Sequence, residues 1–439
     1  MASQEELKDF YVGQDVGSVP KPALVLDVAI IRRHCETMIR TVKELDVGFR
    51  AHVKSHKKTE IAEMQVGDKT LDGNFIASTM LEIEGLVPLL KKLQSERHRV
   101  NVLYGIPLVP SQVARLAKIA LEVGRESISV MVDHPDQVDY FRQFTAITKF
   151  AVSAFVKSWT TTPPALNKEG LLEKLVNFEK QGYVKLLGVY SHSSLSYAGT
   201  TPQEAMKHLI NEIDSCKEAV QLHSQFFPQK QLVISVGATP QALSSQNLLQ
   251  KGEVGPEATT LRDLLRAPFG SDLDAKVKVE LHAGVYPLLD MQQLSTKASM
   301  QLKSPEEEIA VSVLAEALVA AGTLALGREP CPSYPGWAKL SSWRQSPSNS
   351  QSCLIVERIS QEHSIVTWED KKLNSHGLPL SVGQVVKLYP NHACVAASFY
   401  NFYFVVDSDL DADAAKIVDV WVRAGGSGLT DPLSLSRTQ

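Results

Sequence analysis

Short apolar runs recur at 47–53, 74–78, 100–104, 127–133, 150–156, 184–190, 231–236 and 276–281, with polar-faced stretches between them. The first such stretch, 28–45, shows the spacing of an amphipathic helix. Ile31, Cys35, Met38, Val42 and Leu45 share one face, and Asp27 precedes them as an N-cap. Thr79 with Glu82 reads as a capping box opening a second helix. Thr239 and Pro240 open another, with proline in the first turn. Eight strand-like runs separated by helices predict an α/β fold built on a parallel (β/α)8 barrel, with an open doubly wound sheet as the alternative.

Beyond about residue 285 the pattern changes. CLIVERI (353–359), HSIVTWE (363–369), QVVKLY (384–389), CVAASFYNFYFVVD (394–407) and AKIVDVWV (415–422) read as antiparallel strands with turn residues between them. The stretch 304–326 reads two ways, as a helix begun at Ser304-Pro305 or as a long buried strand. The expected division is a barrel over 28–285 and a mostly antiparallel β domain over 286–439, with 1–27 joining the two. The run 346–352 is the most loop-like segment.

Composition narrows the class. With 439 residues, two cores are the default. A hydrophobic share of 44% with 21% charged residues is ordinary for a globular protein. A net charge of -4 without a basic block argues against nucleic acid and membrane surfaces as partners. Five scattered cysteines make no disulfide framework. The polar N-terminus lacks a signal-peptide pattern, so a cytoplasmic protein is expected.

Four motifs carry candidate chemistry. HVKSHK (52–57) ends the first barrel run, where barrel active sites gather, and crowds Lys54 with Lys57, His52 and His56. Neighbouring cations and desolvation favour a free amine, which a nucleophilic lysine needs; a solvated basic turn is the plainer reading. SVGATP (235–240) leaves a strand and opens a helix, so Ser235, Gly237 and Thr239 suit a phosphate cradle, with Gly284 in ELHAGVY (280–286) completing it. In PNHAC (390–394), His392 and Cys394 stand two apart on a strand-like segment, a nitrogen–sulfur pair suited to zinc with open positions left for water or substrate. YSHSSLSY (190–197) places His192 and Tyr197 at the presumed mouth, where they could line a cofactor ring. Each motif alone also fits an ordinary cap, turn or buried side chain.

Together, in this order, the motifs resemble the eukaryotic D-serine dehydratase family, zinc-dependent relatives of D-threonine aldolases. The resemblance also takes in PALVLD (22–27), LYGIP (103–107) and SQEH (360–363), so it covers nearly the whole chain. It implies an alanine-racemase-like (fold type III) barrel followed by a β domain, and a homodimer. It implies pyridoxal 5′-phosphate on Lys54 as Schiff-base lysine, with Ser235, Gly237, Thr239 and Gly284 around the phosphate. His192, Tyr197 and Tyr286 join the expected cofactor-binding residues, and His392 and Cys394 are the implied zinc ligands. The implied substrate is D-serine or another β-hydroxy D-amino acid. Alternatives are an aldolase acting on D-threonine, a 3-hydroxyaspartate dehydratase, or a cofactor-binding protein without turnover. His392-Ala-Cys394 stands where similar aldolases show His-x-Asp, which favours the dehydratase. The chain departs from the family pattern at 157–165, where KSWTTTPPA replaces a Lys-x-Asp-x-Gly-x-x-Arg motif, and at His282, where an arginine is usual.

Overall fold

A computed structural model describes residues 2–67, 72–158, 166–227, 231–250, 255–269, 277–317, 319–341, 353–375 and 377–424. The eight apolar runs become eight parallel strands: β2 (Gly48–His52), β3 (Gly73–Ala77), β4 (Val100–Pro107), β5 (Ile128–Val132), β6 (Val152–Ser158), β7 (Val184–Ser191), β8 (Leu232–Val236) and β9 (Val277–Ala283). They pair in sequence order and close between β9 and β2, with Arg50 opposite His282. The open-sheet alternative is thereby excluded. Parallel strands covered on both faces need continuous apolar sequence, which is why these runs stand out.

The barrel interior is layered. Low down, Arg50 pairs with Glu280 at 2.7 Å and donates to Asn101 Oδ1 at 2.8 Å, with both charged groups buried. Ile76, Leu103, Met131, Phe155 and Tyr190 form an apolar plug, and the Arg50 guanidinium lies 5.3 Å from the Phe155 ring centre. The C-terminal ends of the strands open above this plug.

The remaining strands are β1 (Ala23–Asp27), β10 (Val311–Glu316), β11 (Ala338–Leu340), β12 (Leu354–Ile359), β13 (Ser364–Trp368), β14 (Val385–Pro390), β15 (Phe402–Val406) and β16 (Asp419–Val422). They form one sheet in the order β13-β12-β11-β14-β10-β1-β15-β16. It is antiparallel except where β1 runs parallel to β15. The chain therefore lays down one inner strand of this sheet, builds the barrel and then returns to complete the sheet. The stretch 304–326 resolves into a single helical turn, Pro305–Glu308, followed by β10. The segment 394–407, read as one strand, is instead the helix Ala393–Ser398 followed by β15. Ala393, Ala396 and Ala397 bury one helical face there. Asp27 does cap the helix Val28–Glu44, accepting from Ala29 N. Thr79 caps the helix Met80–Ser95, but the Glu82 carboxylate takes the Ser78 N–H, so the box is incomplete. All five cysteines are free thiols. Among the described residues no helix is long and apolar enough to cross a membrane.

Candidate active site

Lys54 lies in the tight turn Val53–Ser55 immediately after β2, with its side chain exposed at the barrel mouth. The turn is tied from both sides. Ser55 Oγ donates to Gly284 O at 2.9 Å, and Lys57 N to Val53 O at 2.8 Å. The surroundings differ from the expected crowding. Lys57 pairs with Glu82 at 3.0 Å. His56 is fully buried, 3.2 Å from Gln65 Oε1, and accepts from Lys58 N. Burial pushes the His56 imidazole down to about 3. Of the two flanking histidines, His52 is the one whose surroundings include Lys54. Its pKa lies well below the usual value, first through burial and then through the charges of Lys54 and His192.

His192 follows β7 and donates from Nδ1 to Gly237 O at 2.8 Å, which leaves Nε2 as the acceptor of a neutral ring. Enclosure by protein, then Lys54 and Lys157, lower its pKa. Its ring is water-accessible at the mouth, as is the Lys54 side chain. Beneath it His282 stacks on Tyr190, with ring centres 4.5 Å apart and planes 7° apart. His282 Nδ1 lies 3.2 Å from Ser235 Oγ, and its buried Nε2 has no hydrogen-bond partner. Ser235 thus faces His282 inside the barrel. The two inward residues of β8 and its extension, Ser235 and Gly237, stand at different heights.

Gly237 has φ +132°, and a Cβ there would meet His282 O at 2.7 Å. Gly284 passes close to His52, which a Cβ would contact at 3.4 Å. Thr239 begins the helix Thr239–Ser244 and its Oγ1 accepts from Val285 N at 3.2 Å. The two strand-end loops at 237–239 and 284–285 are therefore stitched together. Tyr286 points elsewhere: its fully buried ring meets Phe49 edge-on at 5.5 Å in the layer beneath the helices. Only its backbone belongs to the loop that Gly284 begins.

Sequence reasoning missed Glu212. This buried carboxylate on the helix Pro202–Leu222 accepts from Ser191 Oγ and Gln241 Nε2, both at 2.7 Å, and from the N–H groups of Ser193 and Gly237. It thus ties the end of β7 to the turn after β8. Its signal was legible as an acid among the apolar positions Leu209, Ile213 and Cys216 of one helix face.

His392 follows β14 by two residues and is the N-cap of the helix that carries Cys394, so the pair lies at a strand–helix junction instead of on one strand. Asp290, also missed, organises this junction. Fully buried, it accepts from Gln293 N at 2.9 Å and from Ala393 N at 2.8 Å. Burial raises its pKa and the nearby His392 lowers it. The pattern Asp290 followed by Gln293 was a visible N-cap signal. Burial pushes the Cys394 thiol up to about 12, while Lys54 acts against this rise. Tyr197, in the turn Ser194–Ala198, is raised by burial and by Cys394 and Asp290, and it also contacts the Thr239 backbone. The mouth therefore joins Lys54, Cys394, Tyr197 and the glycine turns. Trp159–Ala165 of the altered fifth-strand motif lie outside the described residues, as does the run 346–352.

These residues fit both implied groups. Gly237 and Gly284 leave bare backbone beside an accessible lysine, as a phosphate-bearing aldehyde cofactor requires. Imidazole and thiol side by side match the donor set of a zinc site. Among the described residues no ready-made cluster of three His, Cys, Asp or Glu donors is present.

A closed parallel barrel with a lysine at its mouth and a mostly antiparallel sheet above it defines the alanine-racemase-like class. An alanine-racemase-like protein from Idiomarina loihiensis superposes with a TM-score of 0.70 at 20% identity, covering 94% of this chain and 98% of that one. Residues 303–406 match the putative serine dehydratase domain family. The chain is 31% identical over 437 residues to the D-serine dehydratase of Schizosaccharomyces pombe, covering 96% of this chain and 95% of the relative. It is 27% identical to the D-serine dehydratase of Saccharomyces cerevisiae, over 94% and 97%. The chain belongs to the D-serine dehydratase family.

Proposed function

We propose that this chain is a lyase that converts D-serine to pyruvate and ammonia, with pyridoxal 5′-phosphate held on Lys54 and zinc on His392 and Cys394. One observation carries the reading: the turn Val53–Ser55 that bears Lys54 packs against the helix Ala393–Ser398 that bears Cys394, although the two are far apart in sequence. The full-length similarity to two D-serine dehydratases supports the substrate.

When bound, the cofactor ring supplies an electron sink at Cα and the zinc ion a Lewis acid for the β-oxygen. The protein supplies the rest. The Lys54 amine would hold the cofactor aldehyde at rest and, once the substrate's own amine has taken its place there, would be free to take the proton from Cα. The tied backbone at Gly237, Thr239 and Gly284 receives the phosphate, with Ser235 supporting it from below through His282. His192, fixed through Gly237 O, presents Nε2 to the mouth as a neutral acceptor, and Tyr197 lines the side toward Cys394. Tyr286 contributes backbone alone. The His392 imidazole and Cys394 thiolate hold the metal, and Asp290 fixes their backbone. Breaking the Cα–H and Cβ–O bonds releases water. The resulting 2-aminoacrylate takes up a proton and then water to give pyruvate and ammonia.

Lys54→Ala and Cys394→Ala separate the two parts of this reading. Lys54→Ala is expected to abolish turnover with the fold intact. Cys394→Ala is expected to lose zinc and elimination while still binding the cofactor, read by its fluorescence. Turnover retained by Lys54→Ala, or full activity after complete removal of metal, would contradict the assignment.

A further inference from the structure

A cavity of about 1070 Å³ lies between the barrel helices and the β sheet, away from Lys54. Its walls include Asp27, Lys387, Tyr389 and Glu306, and the mechanism above uses none of them. A volume of this size lies just above the usual range of small-molecule sites, roughly 300–1,000 Å³.

Lys387 is the unusual group in it. Alternation along β14 buries Val386 and Leu388 in the sheet's far core and turns Lys387 and Tyr389 toward the cavity. The Lys387 ammonium lies 5.7 Å from the Tyr389 ring centre and has no hydrogen bond or ion pair among the described residues. Lys387 is half-buried in the cavity wall, and its three donors, which meet no protein acceptor among the described residues, are open to an occupant. Burial accordingly draws its pKa down, with Asp27 and Glu306 as the opposing charges.

The charge of the lining narrows what can pair with it. Five carboxylates face three lysine and arginine side chains. A simple anion would meet a net acidic wall. A molecule carrying both a carboxylate and an ammonium would satisfy Lys387 and the acids at once. Glu306 is exposed and has no ion pair among the described residues, so its carboxylate is available.

We propose that this cavity is a second small-molecule site, for a free α-amino acid held as a zwitterion, its carboxylate on Lys387 and its ammonium toward Asp27 and Glu306. The site backs onto the metal segment. β14, which carries Lys387 and Tyr389, ends at Pro390, two residues before His392. Leu289, in the cavity wall, precedes the Asp290 that accepts from Ala393 N. An occupant therefore rests against both supports of the His392–Cys394 junction, which makes it an effector site.

N,N-dimethylglycine tests the proposal without involving the mouth, because a tertiary amine cannot condense with an aldehyde. Calorimetric titration into the purified protein should show saturable binding, weakened at least tenfold in both Lys387→Gln and Lys387→Met. Glu306→Gln, at an exposed position, should weaken it severalfold with an unchanged melting temperature. Acetate and inorganic phosphate should bind at least tenfold more weakly. The proposal is overturned by any of three results: no saturable binding to the wild type; unchanged affinity in the folded Lys387 variants; or equal binding of acetate or phosphate, which would make this a plain anion site. A change of oligomeric state in Lys387→Gln, seen by sedimentation, would also overturn it, since a second copy would then be what covers the cavity.

Discussion

At the scale of single residues, Gly237 is held to glycine by a contact that the sequence does not display. The motif SVGATP marks it as a place of close approach, and the sequence suggests a phosphate as the approaching group. In the structure the carbonyl of His282 already stands where a side chain would be. Gly237→Ala should therefore cost about 1–3 kcal/mol in stability and weaken cofactor binding, measured by chemical denaturation and cofactor titration. Unchanged values in both would refute the close approach. His56 makes a second residue-scale case. It was read as a cation pressing on Lys54, because spacing alone cannot show that the ring turns inward to Gln65. It titrates near 6.5 when unfolded and at about 3 in the fold. Between these values the unfolded chain binds the extra proton, so stability rises with pH. The contribution is complete above pH ~6.5 and is lost as pH falls toward ~3, at up to about 1.4 kcal/mol per pH unit. His56→Gln should flatten the loss measured by urea unfolding between pH 7 and 5; an unchanged slope would show that His56 is not held neutral.

Among elements, the barrel strands were legible because strands buried on both faces are mostly apolar, even with interior polar residues such as Arg50 and Glu280 among them. The strand–helix junction at 390–398 was not. Its alanines fit a strand by burial and a helix by spacing, and the deciding contact comes from Asp290 far upstream, which no local pattern contains. That contact is also what holds the candidate zinc pair in register. Asp290 accepts two backbone N–H groups through two oxygens, and an amide offers only one. Asp290→Asn should leave the fold standing and lower zinc affinity by about 10–100-fold in chelator competition, the usual consequence of loosening a ligand's support. Unchanged affinity would mean that the junction holds its shape without this carboxylate.

On the scale of the whole molecule, the path of the chain matters more than its division into two textures. The change of pattern near residue 285 is visible in the sequence. That β1 sits between β10 and β15 is not, because the short run PALVLD says nothing about its partners. The N-terminal segment is thus the centre of the distal sheet and also leads into the helix Val28–Glu44 of the barrel. Deleting residues 2–27 should abolish soluble, cooperatively folding protein, judged by thermal unfolding of the truncated chain. A truncated chain with a wild-type transition would show the strand to be dispensable. The same path carries His392 and Cys394 from the sheet to the barrel mouth, where Lys54 waits, and this meeting is the core of the functional reading. The most direct test is to incubate the purified protein, supplied with cofactor and zinc, with D-serine or L-serine and to measure pyruvate and ammonia together. Equal amounts of both from D-serine, none from L-serine and none with Lys54→Ala are the expected result. A protein that binds cofactor and zinc yet releases no pyruvate from D-serine would contradict it.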